Sequence, residues 1–131
     1  MKTECIFCKK IINKNITLEN ETAVSFFDGF PVSKGHTLII PKRHEGNFFN
    51  LNDIEQQNII SLMNLSKENL IQEFKPDGFN VGVNVGEYAG QTIQHAHLHL
   101  IPRFKGDVAE PKGGIRWIIP DKAPYWENLR D

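Results

Sequence analysis

Three of the five histidines in this 131-residue chain stand at alternate positions in Gln94-His95-Ala96-His97-Leu98-His99-Leu100-Ile101-Pro102-Arg103. In an extended strand, alternate side chains share a face. The spacing therefore predicts that His95, His97 and His99 project together, while Ala96, Leu98 and Leu100 turn to the core. Each imidazole brings two ring nitrogens that need partners, so three neighbouring rings on one face are a costly arrangement unless they serve chemistry. An unperturbed imidazole is largely neutral at pH 7 and can attack an electrophilic phosphorus, splitting one displacement into two steps. Three histidines, or two with His36, could alternatively hold a catalytic zinc ion with an open water position.

The neighbouring residues add polar groups that could line a site beside the histidines. Phe79–Gly86 alternates valine with Asn80, Gly82, Asn84 and Gly86, and reads as a strand pairing antiparallel with the histidine strand. Its polar, glycine-bearing face would let a ligand approach the backbone. Gly90-Gln91-Thr92 leads into the histidines, and Lys34-Gly35-His36 opens the apolar run Thr37–Ile40. Asp28, ahead of Gly29, reads either as a turn aspartate or as an acceptor for ribose hydroxyls. Phe7, Phe26 and Phe27 are candidates for the walls of a base pocket, and Phe7 and Phe27 are assigned to it. Near the N-terminus, Cys5-Ile6-Phe7-Cys8 reads as redox-active, metal-binding or incidental, and a zinc site would need two more ligands.

These motifs together resemble the histidine-triad (HIT) family of nucleotide hydrolases and transferases. The resemblance spans roughly residues 4–105 and leaves 106–131 as a C-terminal extension of one domain. It implies His97 as the nucleophile carrying a nucleotidyl group. His99 and Asn84 would hold phosphate oxygens, and Gln91 and Thr92 would meet the α-phosphate or the leaving oxygen. His36 would support the site and Asp28 would bind the ribose. Family members with an N-terminal Cys-x-x-Cys are similar in carrying a structural zinc, here on Cys5, Cys8, His44 and His95. The implied activity is hydrolysis or transfer at the α-phosphate of adenine nucleotide conjugates. Pro102-Arg103 resembles the diadenosine polyphosphate branch, and nucleoside phosphoramidate hydrolysis is the alternative. A non-catalytic nucleotide-binding module is a further reading, and the family implies a homodimer.

The elements that must position these residues can also be read. Residues 13–31 read as a hairpin, with Thr22–Phe27 as a strand. Residues 52–74 read as one long helix, opened by Asn52-Asp53-Ile54-Glu55 and followed by Pro76, with Ile59, Leu62, Met63, Leu70 and Phe74 on one side. Ile115–Pro120 reads as a short strand or a docking segment. The expected fold is α+β: a five-stranded, mainly antiparallel sheet with one long helix. A formal net charge of −1 gives no attraction to nucleic acid or an anionic membrane. No membrane-spanning or secretory segment is read, so a cytoplasmic protein is expected.

Overall fold

A computed structural model describes residues 2–128; Met1 and residues 129–131, the end of the expected extension, lie outside it. The first helix, α1 (Ile6–Ile12), is short. The strands β1 (Leu18–Glu19), β2 (Ala23–Phe27) and β3 (Thr37–Pro41) follow. Next come the long helix α2 (Asp53–Phe74) and the strands β4 (Gly78–Val83) and β5 (Leu98–Arg103). The strands form one sheet in the order β1-β2-β3-β5-β4, every neighbouring pair antiparallel. This is the expected α+β architecture.

The sheet separates two apolar layers. On one face α2 packs through Ile59, Leu62 and Leu70 against Ala23, Ile39, Ala96, Leu98 and Leu100. On the other face Phe7 of α1 covers Val24, Phe26, Leu38 and Ile40. Strand periodicity accounts for the division, since adjacent residues of β2 and β3 serve opposite layers. The long helix starts where the sequence indicates. Asn52 Oδ1 accepts the Glu55 N–H at 2.8 Å, and Glu55 Oε1 accepts the Asn52 N–H at 3.0 Å, a reciprocal cap that satisfies two orphan donors. Glu55 also receives Arg43, with Nε 3.0 Å from Oε2 and Nη2 2.9 Å from Oε1. The start of α2 is thereby tied to the residue before His44.

One element is unannounced by the sequence, and two readings are narrowed. The segment around Cys5 and Cys8 is helical: Cys5 is the N-cap of α1, and its Sγ lies 3.4 Å from the Cys8 N–H. The hairpin is narrower than 13–31, its strands being Leu18–Glu19 and Ala23–Phe27 around a turn in which Asn20 Oδ1 accepts the N–H of Ala23. Residues 114–118 and 120–122 form 3₁₀ turns. There Ile115 Cδ1 fills the space facing Gly82 on β4, 3.7 Å from where a β-carbon would stand, so the segment docks on the sheet without joining it. Among the described residues, no helix is long and apolar enough to cross a membrane.

Candidate active site and metal centre

The candidate site lies on the face under α1. On β5, His99 lies between Leu38 of β3 and Gly82 of β4 in the strand register. Regular pairing of β5 begins only at Leu98, so His95 and His97 precede the strand; the partner strand β3 ends at Pro41. The predicted division of faces nevertheless holds. Ala96, Leu98 and Leu100 enter the core, and the rings of His97 and His99 lie 5.1 Å apart on the other side. Phe7 stands edge-on to His97 at 5.1 Å, with His95 at 6.1 Å.

The three histidines do not converge on one ion. His97 Nδ1 is 2.8 Å from the carbonyl oxygen of His95. A carbonyl only accepts, so Nδ1 carries the proton and Nε2 keeps its lone pair. That is the protonation state a nitrogen nucleophile requires. His36 Nε2 is 3.0 Å from His99 Nδ1 and 3.4 Å from Asp28 Oδ2, and the Val32 N–H lies 3.1 Å from His36 Nδ1. Burial, together with the neighbouring His97 and His36, pushes the His99 pKa down to about 4. Burial also lowers that of His36, against the pull of Asp28. Both rings are therefore neutral at pH 7.

His95 belongs to a different group. Cys5, Cys8, His44 and His95 bring one ligand atom each to within 4.8 Å of one another. Cys8 Sγ lies 3.3 Å from His44 Nδ1 and 3.5 Å from His95 Nδ1, and Cys5 Sγ is 3.6 Å from His95 Nδ1. The Nε2–H of His95 donates to the Pro41 carbonyl at 2.8 Å, which leaves Nδ1 bare toward the sulfurs. An imidazole fixed by a backbone carbonyl on its far side is the usual outer support of a metal ligand. Burial raises the Cys8 thiol pKa, a cost that a bound cation would reverse. The four residues fit a metal ion of the zinc class.

The other predicted residues fall into place unevenly. Gln91 is buried, and its amide donates to the carbonyls of Gly46 (2.7 Å) and Ile93 (3.0 Å). Its oxygen accepts the Gly86 N–H at 2.9 Å. Both of its donors are thus committed, and Gln91 braces the loop leading to the histidines. Asn84 is exposed just beyond β4, and Thr92 lines a cleft of about 330 Å³ with Cys5 and His44. Asp28 is a turn aspartate, with Oδ1 accepting the Phe30 N–H at 2.8 Å, while Oδ2 lies 3.4 Å from His36 Nε2. Phe27 is a correction. Its ring lies on the α2 face, 44% exposed and edge-on to Phe74 at 6.5 Å. Phe26 takes the site face instead, 5.4 Å from Phe7. Two adjacent phenylalanines in a strand must point apart, and the small residues Ala23 and Ser25 on the side of Phe27 mark the face a helix covers. The Val32 N–H contact with His36 has no sequence signal, because it is made by the backbone and not by the side chain.

A profile of the HIT domain matches residues 9–106. The chain belongs to the HIT family. The HIT protein of Bacillus subtilis is 41% identical over 108 residues, covering 79% of this chain and 74% of that one. A Schizosaccharomyces pombe relative named adenosine 5′-monophosphoramidase is 38% identical, over 76% of this chain and 74% of its own. An Arabidopsis thaliana relative named adenylylsulfatase is 34% identical, over 82% of this chain and 56% of its own. Among solved structures, a HIT family protein from Bacillus anthracis superposes with a TM-score of 0.73 at 36% identity, covering 100% of both chains. A structure described as a Zn-bound histidine triad family protein from Mycobacterium smegmatis gives 0.71 at 28% identity, over 82% of this chain and 80% of that one.

Proposed function

We propose that this HIT protein hydrolyses adenine nucleotide conjugates at the α-phosphate, or transfers their nucleotidyl group, with His97 as the nucleophile. The observation that carries the reading is the His97 ring, held by its Nδ1–H on the His95 carbonyl so that Nε2 is free to attack. In the first step a bond forms from Nε2 to phosphorus, and the bond to the leaving group breaks. The leaving group departs with the electron pair and takes up a proton. In the second step water attacks phosphorus, the N–P bond breaks, and AMP is released with the histidine restored. His99, Asn84 and Thr92 would hold the phosphoryl oxygens, Asp28 the ribose, and Phe7 the apolar side of the nucleoside.

Diadenosine polyphosphates are one substrate class this site would take, as Pro102-Arg103 suggests by sequence. That dipeptide is occupied elsewhere, however. Arg103 donates to both oxygens of Asp107 at 2.8 Å, and Pro102 is fully buried. Compact conjugates such as phosphoramidates are therefore the second reading, supported by the names of the fission yeast and Arabidopsis relatives. The metal at Cys5, Cys8, His44 and His95 would be a structural zinc, steadying α1 and the segment before His97; bound zinc supplies cross-linking there. The unpaired edge of β4, where Val81 is 41% exposed, supports a homodimer, to be checked by light scattering.

Product analysis tests the activity. The native protein and His97→Ala are given diadenosine tetraphosphate and, separately, adenosine phosphoramidate, with and without brief chelation. AMP formation that vanishes in His97→Ala and survives chelation is expected, and the preferred substrate identifies the branch. Undiminished turnover by His97→Ala overturns the nucleophile. Loss on chelation with the fold intact would instead assign the chemistry to a metal, and tight AMP binding without turnover would make the protein a binding module.

A further inference from the structure

Beside the nucleophile, Asp28 Oδ2, His36 Nε2 and His99 Nδ1 lie within 4.8 Å of one another. Two imidazoles and a carboxylate are a donor set that takes divalent transition metals. The same short distances also suit a chain of hydrogen bonds, and one backbone group decides between the two. The Val32 N–H points at His36 Nδ1, 3.1 Å away. An amide N–H can only donate, so Nδ1 is the bare nitrogen. In a neutral ring the proton is then on Nε2. From there it meets His99 Nδ1 at 3.0 Å, with Asp28 Oδ2 a longer neighbour at 3.4 Å. His99 consequently accepts at Nδ1 and carries its own proton on Nε2. Turning the His36 ring over would set carbon atoms against Val32 and against His99, so both contacts fix its orientation.

We propose that the backbone N–H of Val32 is a positioning group for the reaction. Through His36 it holds His99 as an Nε2–H donor beside the nucleophile, and it prevents the Asp28–His36–His99 group from taking a divalent metal ion. Metal binding at His36 Nε2 needs that nitrogen bare. The ring proton would then sit on Nδ1, facing the Val32 N–H donor to donor. The Val32 side chain is 72% exposed, so the backbone carries the effect. The loop from Asp28 to His36 thereby reaches the reacting phosphate without touching it. The catalytic half of this inference rests on the nucleotidyl-transfer reading; the ring tautomers and the exclusion of metal do not.

Long-range proton–nitrogen NMR of the histidine rings in the zinc-loaded native protein is the deciding measurement, with a zinc titration on the same sample. The expected result is His36 and His99 both protonated on Nε2 and bare on Nδ1, and no second zinc equivalent perturbing either ring. His36 protonated on Nδ1 or on both nitrogens at neutral pH would overturn the proposal, as would a second zinc bound at His36 and His99. Val32→Pro removes the N–H, whereas Val32→Ala keeps it. The proline variant is expected to shift His36 toward the other tautomer and to admit a second zinc. Its kcat on the AMP conjugate should fall about tenfold in zinc-free buffer, the value of one hydrogen bond, with AMP affinity little changed. The alanine variant is expected to keep the native tautomers. Tautomers unchanged by Val32→Pro would also overturn the assignment. Should the proline variant fail to fold, the native spectrum still decides. If the substrate class is wrong, the kinetic arm is silent while the ring assignments stand.

Discussion

Acidification below neutrality should cost this protein stability through His99 in particular. An unfolded histidine titrates near 6.5, whereas His99 in the fold is pushed down to about 4. Between those values the unfolded chain binds a proton that the native state refuses, so stability falls as pH falls. From the two pKa values, the His99 share of the loss is about 2 kcal/mol at pH 5 and approaches about 3 kcal/mol below pH 4. His36 and His95, also lowered by burial, add losses of the same sign. His99→Gln isolates the one contribution, because glutamine does not titrate. Urea unfolding of native and variant proteins at pH 7, 6 and 5, at fixed zinc, gives two slopes of stability against pH. The native slope should be steeper, and the gap between the proteins should close by about 2 kcal/mol from pH 7 to pH 5. Parallel slopes, within about 0.5 kcal/mol, would refute a buried neutral His99.

Three further perturbations have definite outcomes. Gly35 has φ +84°, and a β-carbon there would stand 2.9 Å from Leu70 and Phe74. Gly35→Ala should therefore cost about 2–4 kcal/mol in a denaturant melt, from left-handed strain plus the clash. Glu55→Ala leaves Arg43 only its longer contacts with Glu45 (3.6 Å) and the Asn50 carbonyl (3.4 Å), and removes half of the helix cap. It should cost about 2–3 kcal/mol in the same assay. The Arg43 hydrogen bonds hold the Glu55 pKa below the usual carboxylate range, so this stabilisation is present at neutral pH and fades on acidification through that lowered pKa. Cys8→Ser should lower the zinc content measured by elemental analysis and lower the melting temperature, while a zinc content equal to native would remove Cys8 from the ligand set.

Much of this arrangement is legible in the chain because the signals are local. Asn52 and Glu55 are three apart and cap one helix, and the period of two from Ala96 to Leu100 sorts core from site. Cys5 and Cys8 are three apart, close enough for both thiols to reach one group with His44 and His95. The failures are those of chain reading without contacts. The N-terminal segment folds as α1 with Phe7 buried against Phe26 and Leu38, which no local pattern announces. Aromatic character alone makes Phe27 a candidate wall, although its parity puts it with Ala23 and Ser25. Arg103 carries a family signature, yet its charge is consumed by Asp107 four residues later. Gln91 sits in the motif but spends its hydrogen bonds on backbone, and only the positions of Gly46 and Gly86 reveal that.

The brace made by Gln91 also sets a clock. One side chain joins the backbone at Gly46, Gly86 and Ile93, and its own N–H returns to the Gly86 carbonyl at 3.1 Å. The β4–β5 connection and the segment at Gly46 are therefore held together through one side chain. Local opening free energies are set by the bonds that must break together. The Gly86 amide should exchange with solvent hydrogen only when the whole loop assembly lets go, at the same rate as its partners. Loops that border a site and carry glycines would ordinarily be the fast-exchanging part of such a protein. Here the expected outcome is slow exchange at Gly86, measured by amide hydrogen exchange, and fast exchange there would show that the Gln91 brace does not hold the two segments together.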